Sequence, residues 1–282
     1  MRKILIPTDF SENALNAIKY GLELFKYELC EIYLIHAYSD EVYNTKGLLV
    51  RAGFEELKLQ TFRNSEKELE KLEKEILLFS PNPKHRIITL SKFEILVDAV
   101  NDLADKENID IIIMGTRGKS NDKKLTFGSN TLQVVKYVKC PVLAVPNTFK
   151  NGAPSKILFP TDYLLPYKRR EIKLLSTMAN SFAARIVFLH ISKFEQASYR
   201  QQDNKTFLES CVEDNKTEFM NIKGGDLTAT INNQIKSNGI DMVVMVNSRH
   251  SYLESMLYTS TIDKMGLHLE VPFLILQNLQ RY

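Results

Sequence analysis

Four small residues at fixed intervals carry the strongest chemical signal in the chain: Gly115, Gly118 and, after nine further residues, Gly128-Ser129. Gly115 closes Asp110-Ile-Ile-Ile-Met114, an apolar run short enough to be a strand buried on both faces. Gly128-Ser129 opens a segment in which Leu132, Val135 and Val138 recur at helical spacing. The order is therefore strand, glycine loop, helix start. It sets backbone N–H groups and the positive end of a helix dipole at the C-terminal edge of a sheet, which suits an anion such as phosphate. Two other phosphate motifs are excluded. A P-loop ending at Gly118-Lys119-Ser120 would need its first glycine at position 113, which is Ile, and no G-x-G-x-x-G is present.

The elements around this loop follow from periodicity. Residues 3–7 (Lys-Ile-Leu-Ile-Pro) read as a first strand, broken by Pro7-Thr8-Asp9-Phe10-Ser11. Asp9 or Ser11 can cap the helix that follows, with Leu15, Ile18, Leu22 and Phe25 on its apolar stripe. Ile32 to Ala37 is a second strand. After a polar connection, a helix over roughly 51–79 carries Phe54, Leu57, Leu69, Leu72, Ile76 and Phe79 on one side. His85 to Leu90 is a third strand, and Ser91-x-x-Glu94 forms a capping box before a helix with Ile95, Ala99, Val100 and Leu103. The strand ending at Met114, the glycine loop, its helix and a last strand over Cys140–Val145 complete the set. Such β-α alternation implies a parallel sheet with helices on both faces. The strand order is either the flavodoxin-like 2-1-3-4-5 or its relative 3-2-1-4-5; if it is 3-2-1-4-5, the first and fourth strands are neighbours and Asp9 faces the glycine loop across the crevice where such sheets bind ligands.

The chain then repeats itself. Lys156-Ile-Leu-Phe-Pro160-Thr161-Asp162 echoes Lys3-Ile-Leu-Ile-Pro7-Thr8-Asp9, and the echo continues through His190, Asp241–Met245 and Val271–Leu276. The reading is a domain over 1–147, a linker over 148–155 and a second domain over 156–282. The second copy lacks the glycines: Val246, Arg249 and Thr259 stand in their places, and only Ser260 keeps its hydroxyl. One competent site and one degenerate site are expected. His36 and His190 hold matching places at the ends of second strands, which points to a shared structural role. Lys168-Arg169-Arg170 reads as a surface patch near a helix start.

The spacing G-x2-G-x9-G-[S/T], together with Ile-Pro-Thr-Asp9-Phe-Ser and the Cys-Pro-Val-Leu strand, resembles the motif of the universal stress protein family. The whole chain resembles a tandem member. The resemblance implies an α/β fold of two tandem Rossmann-like domains, each a five-stranded parallel sheet with helices on both faces. It implies binding of ATP, ADP or AMP in the first domain. Asp9 would contact ribose or adenine, with Pro7 and Thr8 beside it. Ala37 would line the adenine pocket, where the family often has a larger aliphatic residue. Met114, Gly115, Arg117, Gly118, Gly128, Ser129, Asn130 and Thr131 would surround ribose and phosphates, which could carry Mg2+. The family pairs domains through the last strand, so Val142–Val145 and Phe273–Leu276 are expected to pair antiparallel within the chain, with a further homodimer compatible.

Composition bounds the rest. A length of 282 residues, 44% hydrophobic and 25% charged, describes an ordinary globular protein of one large or two smaller domains. A net charge of +3 is too small to indicate nucleic acid. Cys30, Cys140 and Cys211 show no C-x-x-C spacing, as expected of reduced thiols. The first apolar stretch is too short for a signal peptide, and no apolar run of about 18 residues suggests a membrane span, so a cytoplasmic protein is expected. A regulatory nucleotide binder leads the functional readings. An ATPase lacks a positioned general base and a Ser/His/Asp pattern. A scaffold that has abandoned nucleotide is the third reading.

Overall fold

The computed structural model describes residues 1–45, 51–116, 127–147, 153–165, 167–192, 196–224, 226–248 and 270–278. They fall into two compact units: residues 1–116 with 127–140, and the described residues from 141 onward.

The first unit runs β1 (Arg2–Pro7), α1 (Glu12–Leu24), β2 (Cys30–Ala37), α2 (Ser39–Tyr43), α3 (Arg51–Phe79), β3 (His85–Lys92), α4 (Leu96–Lys106), β4 (Ile111–Gly115) and α5 (Ser129–Tyr137). Its strands lie in the order β3-β2-β1-β4, all parallel. β1 and β4 carry apolar cores because helices cover both faces: Ile4, Leu5, Ile6, Ile111, Ile112 and Ile113 are all sealed from solvent. Each such side chain stabilises the fold by about 1.5–3 kcal/mol. The register pairs Ile4 with Ile111 and Leu5 with Ile112, which sets Asp9 and Gly115 at neighbouring strand ends. α1 begins where the Ser11 side chain accepts the Ala14 N–H. Gly21 on α1 lies so close to β4 that a Cβ there would stand 2.8 Å from Ile113 Cδ1.

The second unit contains β5 (Val142–Val145), β6 (Lys156–Pro160), α6 (Arg169–Ser181), β7 (Arg185–Ser192), α7 (Tyr199–Cys211), β8 (Lys216–Lys223), α8 (Leu227–Ser237), β9 (Met242–Asn247) and β10 (Phe273–Gln277). Its order is β5-β10-β9-β6-β7-β8. The five strands from β10 to β8 are parallel, and β5 joins them antiparallel, pairing Leu143 with Leu274. The sequence reading ends the first domain at 147. The compact units divide before β5, which pairs antiparallel with β10.

The internal repeat reaches the level of single hydrogen bonds. Lys3 N–H donates to Asp110 Oδ2 (2.9 Å), and Lys156 N–H donates to Asp241 Oδ1 (3.1 Å). Thr8 N–H donates to the Ile35 carbonyl, and Thr161 N–H to that of Leu189. After each Thr-Asp the chain turns through a positive φ, 61° at Phe10 and 56° at Tyr163.

Three local expectations need correction. Ser91 does not cap α4. It lies in β3, where its hydroxyl donates to Ser65 Oγ, and α4 starts after Ile95 with no side-chain cap. Ile95 therefore precedes the helix and faces solvent. Phe79, in the last turn of α3, is also exposed and lies beneath the Lys19 ammonium, 5.2 Å from the ring centroid.

Candidate functional site

At the C-terminal edge of the first unit's sheet a cleft of about 290 Å3 opens beside the ends of β1 and β4. Pro7, Thr8 and Asp9 form one wall. Met114, Gly115, Gly128, Ser129, Asn130 and Thr131 form the opposite one, and Ala37 closes the side nearest β2. These are the described members of the set singled out from the sequence. Arg117 and Gly118 lie outside the described residues.

Each wall is held by local bonds. Asp9 Oδ1 accepts the Ser11 N–H (3.1 Å), and Thr8 Oγ1 accepts the Phe10 N–H (3.0 Å), so the turn after β1 is tied to its own side chains. Across the cleft the Thr131 hydroxyl donates to the Gly115 carbonyl (2.8 Å), and Gly128 N–H donates to the Thr116 carbonyl (2.8 Å). These bonds fasten the start of α5 to the end of β4. α5 has Gly128 as its N-cap, with no side-chain cap bond. A helix start without a side-chain cap leaves first-turn N–H groups for water or an anion.

The remaining lining includes Ala14, His36, Asp40, Glu41 and Leu96. Sequence reading gave His36 a structural role and missed the others. The signal was available: Asp40 and Glu41 follow the end of the second strand at once, hence at the same sheet edge. His36 is buried at 4% exposure, with Nδ1 2.8 Å from Ser65 Oγ. Ser65 Oγ also accepts the Ser91 hydroxyl, and His36 Nε2 faces Glu41 Oε1 at 3.5 Å. The cleft thus has a carboxylate-bearing end near β2 and a backbone-amide end near α5.

The universal stress protein family model matches residues 1–146 and again 155–277. The chain belongs to the universal stress protein family. Universal stress protein MJ0577 of Methanocaldococcus jannaschii is 33% identical over 156 residues, 51% of this chain and 94% of that protein. Universal stress protein MJ0531 of the same organism is 29% identical over 144 residues, 51% of this chain and 81% of that protein. Both match the length of one repeat. Among solved structures, a universal stress protein from Archaeoglobus fulgidus covers 98% of this chain with 96% of its own, at a TM-score of 0.68 and 16% identity, a likeness of fold alone. The chain is therefore a tandem universal stress protein of α/β architecture.

In the second universal stress protein repeat the described part of the corresponding cleft is nearly closed. Between Pro160, Thr161, Asp162 and Val246 only about 10 Å3 remains. Tyr167 fills it: its ring packs on Phe159 (centroids 6.1 Å apart), and its hydroxyl hydrogen-bonds the Thr161 hydroxyl. Val246 stands where the first repeat has a glycine. Burial raises the Asp162 carboxyl above the usual carboxylate range, against the N–H bond from Leu164 that pulls it down. Arg249, Thr259 and Ser260 lie outside the described residues. Of the basic run near the start of α6, Arg169 sets its guanidinium 5.4 Å from the Phe207 ring centroid, a packing role. Among the described residues no group of three or more His, Cys, Asp or Glu could hold a metal, and Cys30, Cys140 and Cys211 form no disulfide.

Proposed function

We propose that the first repeat binds ATP, or the related ADP or AMP, and that the protein is a nucleotide-dependent regulator of a stress response. The observation that carries the reading is the convergence of Asp9, Gly115 and Gly128-Ser129 on one cleft, with the helix start of α5 uncapped by a side chain. Its two ends suit the two ends of a nucleotide. Backbone amides and hydroxyls at Gly128, Ser129 and Thr131 favour phosphates. The Asp40 and Glu41 carboxylates repel phosphate and favour a donor-rich group such as an exocyclic amine. Asp9, between them, suits ribose hydroxyls. A volume of about 290 Å3 is close to the roughly 300 Å3 at which small-molecule sites begin. Mg2+ would enter on the phosphates, which supply the hard oxygen ligands it prefers.

Any hydrolysis in this reading is slow, since the sequence shows no Ser/His/Asp pattern. The closed second cleft favours a scaffold role for that repeat alone. The reading takes the protein as cytoplasmic, since no described helix is long and apolar enough to cross a membrane. It takes the antiparallel pairing of β5 and β10 as standing in for the family's pairing of subunits, with a homodimer compatible.

The test is direct. Purified protein is denatured, released nucleotide is identified by chromatography and mass spectrometry, and ATP is titrated against wild type and Asp9→Ala. Bound adenine nucleotide, with affinity falling about tenfold or more in Asp9→Ala, supports the reading. No released nucleotide and no heat on titration removes it.

A further inference from the structure

The second repeat holds another cleft, which the nucleotide reading leaves unused. It measures about 360 Å3 and lies at the C-terminal ends of β7 and β8, roofed by the first turns of α7. Its origin is a difference between the repeats. In the first unit His36 pairs in register with Ser91, and Ser65 on the 29-residue α3 reaches both, so the space is filled. In the second unit His190 pairs in register with Asn221, and the covering helix α7 has only 13 residues. Where the first repeat places a buried triad, the second leaves room.

The lining is cationic and polar. It includes Lys205 and Lys223 with His190, Gln201, Gln202 and Asn221, and among the described residues that line it there is no carboxylate. Two unit charges of one sign around a concave site focus potential toward an anion. Part of the wall is already fixed. The Gln201 side chain donates to the Asp162 carbonyl (2.8 Å) and accepts the Ser198 N–H (2.9 Å), while Gln202 donates to the Ala197 carbonyl (2.9 Å). Lys205 rests over the Phe219 ring, 5.1 Å from its centroid, and lies 3.8 Å from Glu209 one turn along the same helix. Such an exposed i,i+4 pair is weak, so an anion in the cleft can displace Glu209 from the ammonium. The Tyr163 and His190 rings, with centroids 5.1 Å apart, give the floor an apolar face.

We propose that this cleft binds a small organic anion, an oxyanion group on a compact polar body, held between Lys205 and Lys223. Phosphate esters and polycarboxylates share that chemistry. The cleft size is that of a ligand site, and the C-terminal strand edge is where sheets of this type take ligands. The site is independent of the nucleotide reading.

Calorimetric titration of the full chain with glycerol 3-phosphate and, separately, with citrate tests it. Three proteins are compared: wild type, Lys205→Ala with Lys223→Ala, and Lys205→Arg with Lys223→Arg. The expected result is that at least one probe binds wild type, weakens about tenfold or more in the double alanine variant, and is largely restored in the double arginine variant. Binding of glycerol 3-phosphate alone assigns a phosphate ester, and binding of citrate alone assigns a polycarboxylate. Absence of binding by both probes at millimolar concentration, or equal affinity in the alanine variant, overturns the proposal. Both lysines are at least partly exposed, so the alanine variant is expected to fold, which circular dichroism checks.

Discussion

At the scale of single residues, the two repeats act as controls for one another. The positive φ at Phe10 borders the candidate nucleotide cleft, and a bulky residue in that region stores about 1–3 kcal/mol of strain. By itself this would invite a functional reading. Tyr163 carries the same strain at the matching turn of the second repeat, so the turn belongs to the repeated fold. The histidines diverge in the opposite way. His36 is enclosed by Ser65 and Glu41, whereas His190 faces the open cleft beside α7. Burial pushes the His190 pKa below its ordinary value of 6.5, and Lys205 adds to that. The bond to Asn221 and the charge of Asp162 oppose the shift without cancelling it. Above about pH 6.5 the ring is neutral in both folded and unfolded chains, and its full contribution to stability is present. As pH falls below that, the unfolded chain takes up a proton that the folded one resists. Stability declines until the folded pKa is passed. Asp162, raised by burial, works in the other sense: its contribution is present below the ordinary carboxylate range and is lost as pH rises through its folded value. Replacing the ring isolates the first effect. In urea unfolding followed from pH 7 to pH 5, His190→Gln is expected to flatten the loss of stability seen in wild type; an unchanged slope would show that other groups govern it.

At the scale of elements, the site exists because β1 and β4 are neighbours, and that adjacency depends on close helix packing. Gly21 lets α1 settle on β4. A methyl group there would meet Ile113 Cδ1 at 2.8 Å, inside a core where Ile113 has no solvent to retreat into. Two effects compete in Gly21→Ala. Helix propensity favours alanine by about 0.8–1 kcal/mol. Overpacking costs about 1–3 kcal/mol, although the clashing atom is the end of a side chain that can shift. The expected net result is a loss of about 1 kcal/mol in chemical denaturation, and a net gain would show that Ile113 re-seats freely. The sequence offered that adjacency under one of two strand orders, while the motifs themselves were legible because they are local: an Ile run ending in glycine, a Pro-Thr-Asp turn, and a second copy of the strand pattern. Every described residue singled out for the nucleotide cleft lines it. What stayed hidden was tertiary. Asp40 and Glu41 read as part of a polar connection until the end of β2 brought them to the cleft. Ser91 matched a capping pattern that β3 overrode by running on to Lys92, and Ser65 looked like one more polar position on a long helix. Tyr167, which closes the second cleft, lies a few residues past Asp162 and had no local mark to separate it from an ordinary loop tyrosine.

At the scale of the whole molecule, the contrast between a cleft of about 290 Å3 and a counterpart of about 10 Å3 makes the nucleotide reading asymmetric. One adenine nucleotide per chain is the expected stoichiometry. Restoring the second site would require removing the Tyr167 ring and trimming Val246, both of which pack into the space a ligand would occupy. A ligand that binds the native state at about one hundred times its Kd adds about 2.7 kcal/mol to the stability of what it binds. In a chain of two compact units that gain need not be shared, and a single melting temperature would blur where it falls. Amide hydrogen exchange resolves it. Saturating ATP is expected to slow exchange in β1, β4 and the first turn of α5, while β6 and β9, which flank the closed cleft, keep their rates. Equal protection of β6 and β9 would mean either a second nucleotide or strong coupling between the units, and native mass spectrometry separates these by mass. Two nucleotides per chain would show that Tyr167 moves aside, and one would show that the two units are coupled.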